Sequence, residues 1–116
     1  MLYTEVLKDK QVFLRLYKKG RFTTCKEAAA YYLPNRMNIN RFGITAGKKL
    51  GNAVTRNRAK RIIRSAYRQC ESLLPAGYDI VIVAREGIKD KKSTDIEAFI
   101  KSRLSKEMGR KVEKDC

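Results

Sequence analysis

Between residues 52 and 74 the chain sorts two kinds of side chain with the period of an α-helix. At about 100° per residue, Ala59, Ile62, Ile63, Ala66, Cys70 and Leu73 fall on one arc, and Asn57, Lys60, Arg61, Arg64 and Arg68 fall on the opposite one. Arg56 and Arg58 lie on the two borders. Such a segment has one way to fold: the apolar arc packs on another layer and the cations stay in water. Asn52 is the expected N-cap, and Pro75-Ala76-Gly77 closes the segment.

The layer it packs on is expected to be a sheet. Glu27 to Leu33 reads as a strand ended by Pro34-Asn35, with Tyr31 and Leu33 on one face and Ala28, Ala30 and Tyr32 on the other. Met37 to Asn40 is turn-like, and Arg41 to Ala46 is a second strand. Asp79-Ile-Val-Ile-Val-Ala84 is a buried strand. Helices are expected over Asp9 to Lys19, with Val12, Phe13, Leu16 and Tyr17 at helical spacing and Gly20 as the stop, and over Asp95 to Glu107, with Thr94 as the cap. Helices and strands mixed within 116 residues predict a single α+β domain over residues 1–116, one sheet covered by helices, with a frayed tail from about 109 to 116.

The charge is concentrated where the long helix lies. The chain carries 27 basic and 12 acidic residues, a net +15, yet residues 28–70 contain no Asp or Glu. That third of the chain holds Arg36, Arg41, Lys48, Lys49, Arg56, Arg58, Lys60, Arg61, Arg64 and Arg68, and it supplies two-thirds of the net charge. A solubilising surface interleaves signs. Like charges at helical spacing instead cost a few tenths of a kcal/mol per pair, a cost that phosphates between them offset. Arg also offers a bidentate fork to phosphate. The segment therefore predicts RNA or DNA contact, with anionic lipid the weaker partner and a merely solvated basic face the minority alternative.

Other classes are excluded by what is missing. With no His, neither a Ser-His-Asp nor a Cys-His nucleophile can be built, nor a zinc site that needs imidazole. Cys25, Cys70 and Cys116 are too few and too far apart for a disulfide framework or a four-cysteine metal site. Reduced thiols are expected, with Cys70 in the core. The glycines at 43, 47 and 51 around Lys48-Lys49 imitate a nucleotide-phosphate loop, but the Walker spacing fails and Lys49 stands where the magnesium-holding hydroxyl belongs. No carboxylate cluster lies in the basic region, so no metal bound by protein side chains is expected and no catalytic side chain is assigned. Charged residues at positions 5, 8, 9 and 10 and the lack of any long apolar run predict neither a cleaved signal nor a membrane span, hence a cytoplasmic location.

From Lys48 to Arg64, Lys-Lys-Leu-Gly-Asn-Ala-Val-Thr-Arg-Asn-Arg-Ala-Lys-Arg-Ile-Ile-Arg, the sequence resembles the bacterial ribonuclease P protein family, whose signature is the Arg-Asn-Arg element. Leu7-Lys8 with Phe13, Tyr17 and Lys18-Lys19-Gly20 resembles that family's first helix. Phe42 to Thr45 and Tyr78 to Arg85 resemble its strands. The resemblance implies an α/β sandwich like a ribosomal-protein domain, with a central mixed sheet and a left-handed βαβ crossover. It implies a protein subunit whose partners are the ribonuclease P RNA and precursor tRNA, with no small-molecule substrate. The RNA subunit, with its bound magnesium, would cut away the 5′ leader. Lys48, Lys49, Asn52, Arg56, Asn57, Arg58, Lys60, Arg61, Arg64 and Arg68 would bind the RNA subunit. By position, Phe13, Tyr17 and Tyr31 match the leader-binding cleft, although core packing fits Phe13 equally well. Glu86 departs from the family, which often carries a basic or small residue after the position of Arg85, and this leaves the role of Arg85 open. A ribosomal or other structural RNA-binding protein is the alternative.

Overall fold

The computed structural model describes residues 3–109. Its centre is β5 (Tyr78–Ala84), which lies parallel to β4 (Asn40–Thr45) on one side and antiparallel to β3 (Ala28–Pro34) on the other. β1 (Thr4–Val6) extends the sheet in parallel beside β4, and β2 (Arg21–Thr24) extends it antiparallel beside β3. The mixed five-stranded order is β1-β4-β5-β3-β2. β5 is covered on both faces, which is why it reads as an apolar run rather than an alternation.

On one face lies α1 (Lys10–Lys19), with Val12 and Leu16 packed on Leu7 and Val81. On the other face, α2 (Ala53–Cys70) and α3 (Ser93–Phe99) pack over Ala28, Ala30, Tyr32, Phe42, Ile80 and Ile82. α3 runs on through a π-helical segment, Ile100–Leu104, to Gly109. The predicted facing of β3 holds, since Ala28, Ala30 and Tyr32 meet α2 and α3 while Tyr31 and Leu33 meet α1. Asp9 caps α1 by accepting from the Gln11 N–H at 2.9 Å. Asn52 caps α2 by accepting from the Thr55 N–H at 3.0 Å. Among the described residues no helix is long and apolar enough to cross a membrane.

Four expectations change. β1 and β2, three and four residues long, have no legible alternation and were not foreseen. Leu73 is 51% exposed, because α2 ends at Cys70 and a 3₁₀ turn over Glu71–Leu73 rotates it off the apolar arc. Tyr67 takes a place in that arc, fully buried, its ring stacked on Phe42 at 3.9 Å between centroids and its hydroxyl 3.0 Å from Thr4 Oγ1. Thr94 is not the cap of α3. The helix starts two residues earlier, at Ser93 with Lys92 as N-cap, and Asp95 accepts from the Lys92 N–H at 2.8 Å. The tail expected to fray lies, beyond Gly109, outside the described residues.

One buried ion pair ties β4 to β5. Asp79, 1% exposed, sits opposite Arg41 in the register and takes a bidentate fork from it, Nε to Oδ1 at 2.7 Å and Nη2 to Oδ2 at 2.9 Å. Asn35 Nδ2 donates to the same carboxylate at 3.1 Å. The bond to Asp79 raises the Arg41 pKa further above its already high ordinary value, so the guanidinium stays charged through neutral pH. Arg41→Ala leaves the carboxylate buried without its main counter-charge and is expected to lower stability by about 2–4 kcal/mol in urea unfolding. Burial pushes the thiols of both Cys25 and Cys70 up, but Cys70 is fully buried and Cys25 only half-buried, so the native protein is expected to alkylate far more slowly at Cys70 than at Cys25, as read by peptide mapping at pH 8.

Candidate nucleic-acid interface

Packing of the apolar arc of α2 leaves Asn57, Arg61, Arg64 and Arg68 exposed on its outer side. Lys60 is half-buried and, with Arg64, borders a recess of about 200 Å³ that also meets Val6, Phe13 and Ile44. Arg56 is half-buried, its Nε without a hydrogen-bond partner among the described residues. Arg58 is half-buried as well, but its guanidinium donates to the backbone carbonyls of Lys89 at 3.0 Å and Lys91 at 2.8 Å. Asn52 commits its side-chain oxygen to the helix cap, which leaves its amide N–H₂ to meet a ligand. The predicted cationic set is therefore one contiguous face in which Arg58 stands apart by its engagement with the protein.

Lys48 and Lys49 sit on the 3₁₀ turn Lys48–Leu50, both exposed, held down by Leu50 in the core. They edge a groove of about 570 Å³ with Thr45, Val83, Ala84, Arg85 and Glu86. Arg85, whose role the sequence left open, also donates to the Cys25 carbonyl at 3.2 Å.

Thr45 connects this groove to the aromatic side chains. Its Oγ1 lies 3.0 Å from the Tyr17 hydroxyl. The Tyr17 ring meets Tyr31 edge-on at 5.1 Å, and Tyr31 meets Phe22 at 5.7 Å. Tyr17 is 40% exposed and Phe22 is 61% exposed, so the row presents ring surface to solvent rather than filling the core. Phe13 is different. Its ring packs beside Gly43, where a Cβ would come within 2.5 Å of it, and it joins the small core under α1. Of the three predicted cleft residues, Tyr17 and Tyr31 are brought together and Phe13 sits deeper, as packing. Phe22 was missed, because it lies on a four-residue strand whose Arg-Phe-Thr-Thr sequence gives no pattern.

Comparison with known proteins tests the resemblance that residues 48–64 carry to the bacterial ribonuclease P protein family. The family model described as Ribonuclease P matches residues 1–108. The chain belongs to the ribonuclease P protein family. The ribonuclease P protein component of Lachnoclostridium phytofermentans is 43% identical over 97 residues, covering 84% of each chain. That of Clostridioides difficile is 40% identical over 100 residues, covering 85% of this chain and 88% of its own. The solved RNase P protein of Staphylococcus aureus superposes with a TM-score of 0.75 at 35% identity, covering 85% of this chain and 91% of its own. That of Thermotoga maritima gives 0.68 at 28% identity, covering 91% and 96%. The matched fold is the α+β sandwich described above, and the ribosomal-protein alternative is not favoured. As a ribonuclease P protein component, the chain has ribonuclease P RNA as its partner.

Because the Asn52 cap orders the start of the cationic helix, Asn52→Ala is expected to lower stability by about 1 kcal/mol in chemical unfolding. Asn52→Asp, which keeps the accepting oxygen, is expected to retain it.

Proposed function

We propose that this protein grips two RNA segments at once: the ribonuclease P RNA on the outer face of α2, and the 5′ leader of precursor tRNA along Tyr17, Tyr31 and Phe22. The observation that carries the reading is the continuity of the two surfaces, joined through Thr45 and the groove edged by Lys48, Lys49 and Arg85. Guanidinium groups free of protein carboxylates suit the phosphates of folded RNA. Exposed rings suit unpaired bases, since stacking tolerates any base and contributes about 1–3 kcal/mol for each. Lys48, Lys49, Asn52, Arg56, Asn57, Lys60, Arg61, Arg64 and Arg68 supply the first surface, and Phe13 supports the second from beneath.

Cleavage, on this reading, belongs to the RNA subunit. Magnesium bound by that RNA would supply the activated water and charge stabilisation. The buried carboxylates of the protein have other work: Asp79 holds Arg41 and Asn35, and Glu71 accepts from Tyr3 and Thr4 at the edge of the sheet. The protein contributes binding and orientation of the leader rather than proton transfer.

Precursor-tRNA cleavage at low magnesium, with a bacterial ribonuclease P RNA, is expected to be strongly stimulated by the wild-type protein; absence of stimulation by folded protein overturns the reading. Arg61→Ala with Arg64→Ala is expected to weaken binding to that RNA and to reduce the slope of log affinity against log salt by about 2. Phe22→Ala with Tyr31→Ala is expected to lower holoenzyme affinity for precursor tRNA roughly tenfold or more while leaving affinity for mature tRNA unchanged.

A further inference from the structure

The engagement of Arg58 joins the Arg-Asn-Arg element of the cationic helix to a distant part of the chain. Its two hydrogen bonds end on the connection between β5 and α3. That connection is closed by its own turns, Lys89 N–H to the Glu86 carbonyl at 3.2 Å and Lys91 N–H to the Ile88 carbonyl at 3.0 Å, with Ile88 sunk in the core. It carries Lys89, Lys91 and Lys92. Its acidic residues are Glu86 and Asp90, and the Asp95 carboxylate just beyond it is turned back onto the Lys92 N–H.

Between this connection and α2 runs a groove of about 350 Å³, lined by Arg58, Arg61, Ile62, Ser65, Lys92 and Ser93. It offers three cations and two hydroxyls without a carboxylate in its lining. It lies on the opposite border of α2 from Lys60 and Arg64, which face the recess beside Phe13. A planar guanidinium can bridge two carbonyls at fixed spacing; an ammonium cannot reproduce that fork.

We infer that Arg58 is a positioning residue, which fixes the Lys89–Lys92 segment so that Lys92 and Arg61 form a second phosphate-binding rim for structured RNA. The inference rests on the RNA-binding reading of α2 and extends it to the α3 side. The phosphodiester backbone of the ribonuclease P RNA is the ligand whose chemistry fits: a row of anions with no demand for base recognition.

The test is equilibrium binding of the full-length protein to a bacterial ribonuclease P RNA at moderate salt, with Arg58→Lys, Arg58→Ala, Lys91→Ala plus Lys92→Ala, and the combination of Arg58→Lys with the lysine pair. Arg58→Lys and the lysine pair are each expected to weaken binding roughly three- to tenfold. The combination is expected to bind no more weakly than the weaker of the two, because both remove the same rim. Trypsin is expected to cut after Lys89, Lys91 and Lys92 several-fold faster in Arg58→Lys than in wild type, with little change in Tm. The inference is overturned if Arg58→Lys keeps wild-type affinity while Arg58→Ala loses it, since charge alone then matters. Losses that multiply in the combination overturn it, as does wild-type binding by the lysine pair. The lysine pair is exposed or half-exposed and tests the rim even if Arg58 variants fold poorly. Wild-type protein that shows no salt-dependent binding to this RNA would overturn the RNA-binding reading first, and the second rim with it.

Discussion

The structure depends on the seating of α2. Ile62, Ile63, Ala66, Tyr67 and Cys70 enter the core against Phe42, Ile80 and Ile82, and each large side chain so buried contributes about 1.5–3 kcal/mol. Like-charge crowding on the outer side costs a few tenths of a kcal/mol per pair. Burial therefore wins by a wide margin, and the helix can present an outer face without compensating acids. The Phe42–Tyr67 stack and the Arg41–Asp79 fork fix β4 to its neighbours at one end of this arrangement. The glycine-lined turn with Lys48 and Lys49 leads into the helix at the other.

β4 is the element through which the two faces of the sheet communicate. Phe42 points to α2, Gly43 leaves room for the Phe13 ring of α1, and Thr45 meets the Tyr17 hydroxyl. A six-residue strand thus sets the distance between a cationic helix on one side and an aromatic row on the other. A missing side chain at position 43 matters as much here as the side chains present, because Phe13 could not lie so close to a Cβ-bearing strand.

Much of this was legible in the sequence because the signals were long. Eighteen residues of helical periodicity located α2 and its cap. The apolar run of β5 and the alternation in β3 located the sheet and told which residues of β3 share a face. What was illegible was short or three-dimensional. β1 and β2 are too brief to show a period, so Phe22 could not be placed beside Tyr31. Leu73 left the apolar arc because a 3₁₀ turn advances by a larger angle than an α-helix, and Tyr67 entered it because Thr4, distant in sequence, meets its hydroxyl. Arg58 looked like its neighbours until its carbonyl partners, about thirty residues away, came into view.

The central claim is that one protein assigns different RNA segments to its two faces. Photocrosslinking in the assembled holoenzyme tests it most directly, with 4-thiouridine placed either in the precursor leader or in the ribonuclease P RNA and the crosslinked peptides then sequenced. The account predicts leader crosslinks in the peptides that carry Tyr17, Phe22 and Tyr31, and ribonuclease P RNA crosslinks along Asn57 to Arg68. Leader crosslinks confined to the outer face of α2, with none in the aromatic row, would contradict it.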